Sequence, residues 1–201
     1  MARSKLGERG CETMGDRAAG KSSKGNSPSE FRTLIDRPNC REELVLGFQW
    51  LWREVGPPEV ILCIGTDRAT GDALGPLVGT RLQSVTRLVC PVYGTLEQPV
   101  HASNLSDFVR SHPRLKNARC LAIDASLGKP EAVGAVTLGI GAIRPGAGVN
   151  KELPAIGQYY VTGTVNIGGF MDYYVLQNTR LSLVMRMADV IADGVRLSLN
   201  L

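Results

Sequence analysis

The chain is poor in aromatic residues, which make up 5% of its 201 residues. Single-stranded nucleic acids are usually held by bases stacked on such rings, so no specific nucleic-acid partner is expected. Only two histidines occur, His101 and His112, which excludes a histidine-rich metal site. The five cysteines, at 11, 40, 63, 90 and 120, form no CxxC pair. Neither a disulfide framework nor a zinc knuckle follows from them, and core thiols in a reducing compartment are the expectation. No apolar run approaches the roughly eighteen residues a membrane span requires, and no apolar stretch follows the first basic residues as in a secretory leader. A cytoplasmic location without a membrane partner is therefore expected. The glycine-rich stretch GTDRATGDALG lacks the Gly-Lys-Ser/Thr ending of a phosphate loop, and neither a dinucleotide fingerprint nor a GxSxG elbow is present.

What is there is a chain with 43% hydrophobic and 21% charged residues, the composition of a soluble globular protein with a real core. Residues 1–30 stand apart. They are basic, rich in Gly and Ser and almost free of apolar side chains, and residues 1–29, with six basic against three acidic side chains, carry +3 of the chain's net charge of +4. Such a segment cannot bury enough surface to offset its ordering entropy, so a disordered basic tail is expected there. A single α/β domain is expected over residues 31–201.

The centre of that domain is the stretch VILCIGTDRATGDALGPLVG at residues 60–79. Its first five residues are continuously apolar, as in a central strand covered on both faces. Gly65 ends the strand. Gly75 and Pro76 then read as a helix cap and first helical residue. Asp67 and Asp72 lie in the loop between, at the carboxyl end of a strand, where open α/β sheets place ligands. Short acids also hydrogen-bond their own turns, which is the alternative role of Asp67.

The remaining pattern repeats this logic. Asn39 and Glu42 suggest a capping box before an amphipathic helix ending at Gly56-Pro57-Pro58. Leu88 to Tyr93 reads as a strand, with Pro91 arguing for an edge, and a polar loop over residues 94–104 holds Glu97 and His101. Cys120 to Ile123 is a short buried strand running into Asp124. If it lies parallel to the strand before Gly65, Asp72 and Asp124 face one crevice. Further strands are expected over 135–140 and 158–166, separated by a Gly- and Pro-rich loop that carries Arg144. Thr179 is placed to cap a last helix with Leu181, Val184, Met185, Ala188, Ile191 and Val195 on its core face. Strands alternating with helices give an α/β domain with a largely parallel sheet.

The chemistry such a pair supports is hydrolysis. Two carboxyls brought close cannot both ionise cheaply, so one keeps a proton while the other activates water. The same pair can instead hold a divalent cation through oxygen ligands, and a third alternative is a crevice that binds a partner without catalysis. Around the pair, Thr66 and Asp67 are candidates to position the loop, Glu97 and His101 to line the crevice, Arg144 to orient a carboxylate or carbonyl, and Asn166 to end a strand beside it.

IGTDRATGDALGPLVG, IDAS at 123–126, GAIRPGAGV at 141–149 and FMDYYVLQNTRLSLVMRMADVIADG closely resemble the corresponding segments of the YyaC-type sporulation proteins, regarded as spore proteases. The likeness runs over about residues 34–196. GDALGP, IDA and RPGAGV also resemble the germination protease that degrades small acid-soluble spore proteins, an unusual aspartic peptidase. By this similarity Asp72 and Asp124 correspond to its two essential aspartates. The implied fold is a three-layer α/β/α sandwich with a mostly parallel sheet, of the phosphorylase/hydrolase-like type shared with hydrogenase-maturation endopeptidases. The implied activity is that of a sporulation or germination endopeptidase without a cofactor. It would act on a protein or peptide, small acid-soluble spore proteins among them, in the mother cell or forespore, with a homo-oligomer left open. The maturation enzymes bind nickel through acids and a histidine after the second acid; here both histidines precede Asp124.

Overall fold

Alternation along β2, Val60–Cys63, explains the layering. Ile61 and Cys63 enter one hydrophobic core, while Val60, Leu62 and the following Ile64 enter another. A strand with no exposed face must be covered on both sides. The computed structural model describes residues 30–88, 90–145 and 153–201, so the expected tail falls outside the described residues except for Glu30. So does part of the loop expected over 141–157.

Six strands form one sheet in the order β1-β5-β6-β4-β2-β3. The others are β1, Glu30–Leu34; β3, Val92–Tyr93; β4, Cys120–Gly128; β5, Ala135–Ile140; and β6, Tyr159–Ile167. β2 lies parallel to both β3 and β4, and β4 is parallel to β6. β5 runs antiparallel to β6 and to β1, so it alone is reversed and the sheet is mixed but mostly parallel. β1 was not anticipated: EFRTL is short, half polar and beside the tail, and only its pairing with β5 makes it a strand.

On one face lie α1, Cys40–Val55; α2, Leu74–Gln83; and α6, Leu181–Ser198. Leu44, Phe48, Leu74, Val78, Val184, Ala188 and Ile191 are the buried side chains there. The opposite face is covered by α3, Leu105–Ser111, and α4, Arg114–Asn117, through Leu105, Val109 and Leu115. The result is the expected three-layer α/β/α arrangement.

Several local readings are corrected. Asn39 stands at the N-cap of α1 but makes no side-chain cap bond. α2 begins at Leu74, not at Pro76, because a 3-10 turn at Gly71–Ala73 feeds straight into it. β3 is only two residues long. On α6, Met187 is buried while Leu181 and Met185 are exposed, and Thr179 caps nothing there, since the N-cap is Arg180 without a side-chain cap bond. Cys40, Cys63 and Cys120 are buried free thiols, with burial pushing the Cys120 thiol up to about 12.

Trp52 sits at the edge of this core, donating its indole N–H to Ser198 Oγ at 2.9 Å and stacking on fully buried Phe48 with centroids 5.5 Å apart. Phe48→Ala is expected to destabilise the fold by about 3–5 kcal/mol, the range for deleting a core aromatic. Urea unfolding measures it. A loss near zero would mean that α1 and α6 do not close on this side chain.

Candidate active site

The chain leaves β2 under tight backbone control. Ile64 N–H donates to Ile123 C=O at 2.7 Å, Gly65 N–H to Val100 C=O at 2.8 Å, and Thr66 N–H to Asp72 C=O at 3.1 Å. The last bond closes the loop on itself and fixes the turn that carries Asp72. Gly75 lets α2 approach this closely, since a Cβ there would lie 2.1 Å from Ile64 O. Asp72 therefore stands at the start of a buried helix on a rigid support.

Asp124 comes from β4, whose pairing with β2 ends one residue earlier, at Cys63↔Ile123. The sequence reading ended this strand at Ile123. It instead continues to Gly128 because β6 pairs along it as far as Ile167, so Asp124 is a residue within β4 at the level where β2 has stopped. Asp72 and Asp124 both line one cavity of about 270 Å³. Thr66, Arg68, His101 and Ser126 are further polar groups of its wall, and Leu127, Pro145, Tyr173 and Leu176 supply apolar surface.

Electrostatics separate the two acids. Burial pushes the Asp72 carboxyl up to about 6, with the Thr66 amide opposing. Asp124 is buried and is raised well above the usual carboxylate range, first by burial and then by the charge of Asp72, although Ala125 N–H donates to its Oδ1 at 2.9 Å. Near neutral pH the arrangement favours an ionised Asp72 beside a protonated Asp124.

Of the other candidates, Thr66 and His101 line the cavity and Asp67, Glu97, Arg144 and Asn166 are not among its lining residues. Asp67 is exposed and takes a long contact of 3.5 Å from Thr66 Oγ1, in keeping with a turn residue. Glu97 and Arg144 are exposed. His101 accepts the Ser103 N–H on Nδ1 at 3.2 Å, which leaves the proton of the neutral ring on Nε2. Arg68, Ser126, Tyr173 and Leu176 were missed; Arg68 had a visible signal, as a cation between the two loop acids.

Asn166 works at a distance. Its Nδ2 donates to Val175 C=O at 3.3 Å and to Thr179 Oγ1 at 3.2 Å, and Thr179 donates to Val175 C=O at 2.9 Å. These bonds tie β6 to α5, Asp172–Gln177. α5 in turn packs on the Asp72 turn, where a Cβ at Gly71 would lie 2.8 Å from Thr179 Oγ1. Asn166→Ala is expected to lower stability by about 1–2 kcal/mol through the lost bonds to a half-buried donor set. Hydrogen exchange of the α5 amides should rise with it; unchanged exchange would refute the tie.

Among the described residues there is no group of three His, Cys, Asp or Glu side chains able to hold a metal ion. Asp72, Asp124 and His101 share the cavity wall without forming such a group, so no step is routed through a metal. No helix among the described residues is long and apolar enough to cross a membrane.

Residues 35–194 match the family described as "Protein of unknown function (DUF1256)". The chain belongs to that family. It is also 50% identical, over 149 residues, to the uncharacterized protein YyaC of Bacillus subtilis (strain 168), a match covering 74% of this chain and 73% of that protein. This bears out the YyaC-type resemblance. Among solved structures, the NiFe hydrogenase maturation protease HycI from Thermococcus kodakarensis KOD1 aligns with a TM-score of 0.46 at 14% identity, over 74% of this chain and 98% of that one.

Proposed function

We propose that this family member is an endopeptidase of sporulation or germination that cleaves a protein substrate with Asp72 and Asp124 as an aspartic dyad. The observation that carries the reading is the pairing of two carboxyls in one cavity with their protonation states driven apart. The resemblance of GDALGP and IDA to the germination-protease motifs supports it, and makes small acid-soluble spore proteins the first substrate to try.

In this reading ionised Asp72 takes a proton from water as the oxygen attacks the peptide carbonyl, and Asp124 gives its proton to the carbonyl oxygen. The resulting gem-diol collapses when Asp72 passes its proton to the nitrogen and a hydroxyl returns one to Asp124. The C–N bond breaks, leaving a carboxylic acid and an amine, and the dyad regains its starting state.

The test incubates the purified full chain with small acid-soluble spore proteins and follows fragments by mass spectrometry. Defined fragments are expected from the wild type and none from Asp72→Asn or Asp124→Asn. Equal cleavage by the variants, or no cleavage by the wild type, overturns the proposal. Loss of cleavage under a chelator would favour metal-assisted hydrolysis by the same acids, and tight capture without turnover would favour a binding protein.

A further inference from the structure

On the side facing β2, the ladder of β4 stops at Ile123, yet β4 runs on to Gly128 with β6 as its neighbour on the other side. Among the described residues no strand pairs with the β2-facing edge of residues 124–128. Successive residues of a strand present their backbone groups to alternate sides, and Ile123 C=O faces β2, since it accepts Ile64 N–H. Ala125 and Leu127 therefore face the same way. The register irregularity here skips a residue on β6, pairing Ser126 with Thr164 and then Leu127 with Asn166, so β4 keeps its alternation. The Ala125 amide is already taken by Asp124. Among the described residues Ala125 C=O, Leu127 N–H and Leu127 C=O remain without a partner, along a wall of the cavity that holds both acids.

A second observation concerns residues 167–174. Ile167, Phe170, Met171, Tyr173 and Tyr174 are large apolar side chains left exposed, Phe170 at 81% and Tyr173 at 54%. They fall within eight residues, and Tyr173 also lines the cavity. Asp172 is the one charge of that stretch, and its Oδ1 accepts Gly169 N–H. Large apolar side chains left exposed beside a polar cleft mark a binding site.

We propose that the substrate is bound as an added strand: an extended, unfolded polypeptide segment hydrogen-bonds to the free β4 edge at Ala125 and Leu127, with a large apolar side chain on the Phe170–Tyr173 shelf. Main-chain bonds supply affinity and the shelf selects the side chain. The bond to be cut then lies beside Asp124, the first residue of the free edge. The cut itself rests on the endopeptidase reading above; the binding mode does not. The edge forms part of a cavity wall, which admits a single extended segment and not a strand already packed in a sheet, so the substrate class is protein that is unfolded along the bound segment.

The test uses a mixture of random synthetic peptides of about twelve residues, twice the usual strand length, captured on the full-length Asp72→Asn chain and, in parallel, digested by the wild type. Captured peptides should be enriched about tenfold in large apolar residues, and Phe170→Ala combined with Tyr173→Ala should remove most of that enrichment. N-methylating alternate amides of a captured peptide should weaken it about tenfold in one phase and little in the other, because only alternate amides face the edge. Equal weakening in both phases, enrichment that survives the double variant, or no capture overturns the inference. Phase-dependent capture without any cut sustains the added strand and sinks the dyad; cuts without phase dependence do the reverse.

Discussion

Asp72→Asn is expected to abolish the proposed cleavage, by about a thousandfold or more, while making the fold more stable as pH rises from about 4 to 6 and beyond. The loss of rate follows from removing the base of an acid–base pair, an effect of about a hundred- to ten-thousandfold. The gain in stability follows from the raised carboxyl. In the unfolded chain this group titrates near 3.8, and in the folded chain near 6. Between those values the folded state binds more protons than the unfolded one, so stability falls as pH rises through the window and stays low above it. Below it both states are protonated and nothing is lost. Asparagine is neutral throughout and removes the penalty, about 2 kcal/mol for this half-buried group. Urea unfolding from about pH 3 to pH 8 on both proteins should show curves that come together at the acid end, separate between about pH 4 and 6 and stay apart above it. A variant less stable at every pH would refute the electrostatic account. The same window sets activity: the wild-type rate should rise with pH through about 6 as Asp72 ionises.

This opposition between stability and chemistry is what a functional site leaves in a fold. A structural acid in a turn would be expected to lose stability on replacement, through its lost hydrogen bonds. The sign of the change at pH 7 therefore separates a turn residue from half of a dyad, before any substrate is known.

Both acids could be found from the sequence because local features mark them. VILCI and CLAI are apolar enough to be strands in any setting, and glycine and small residues follow each. What remained hidden depends on partners far along the chain. The expected strand ends at Ile123, and ASLG at 125–128 continues it only because β6 lies beside it; the free edge could not be seen without that. Thr179 has the chemistry of a helix cap, yet its hydroxyl is claimed by Val175 and Asn166. DALGP suggests a helix starting at its proline, but the preceding 3-10 turn brings the start forward to Leu74. Leu181 and Met185 fit the apolar period of α6 and are exposed, because the buried face is centred on Met187, Ala188 and Ile191. Glu97 and Arg144 had the right chemistry in nearby loops and stand outside the cavity wall, since loop membership does not fix which way a side chain points.

Gly65→Ala is expected to cost about 4 kcal/mol or more of stability, beyond the usual range for point changes. Two independent penalties meet there. Gly65 has φ +138°, a backbone conformation L side chains rarely adopt, and a Cβ would sit 1.9 Å from the Asp72 carbonyl oxygen. That oxygen is backbone, held by the Thr66 amide at the entrance to α2, so it cannot swing aside as a side chain would. Relief requires the 66–72 loop to open, which moves Asp72 itself. Gly141 provides the control: its φ is +123°, but nothing among the described residues lies within 4 Å of a Cβ there. Gly141→Ala should thus show the conformational penalty alone, about 1–2 kcal/mol. Urea midpoints of the two variants against the wild type measure the difference, and any Gly65→Ala protein that folds should have lost cleavage. If the two variants prove equally stable, the Asp72 turn is not pinned against Gly65, and the rigid placement of the first acid fails with it.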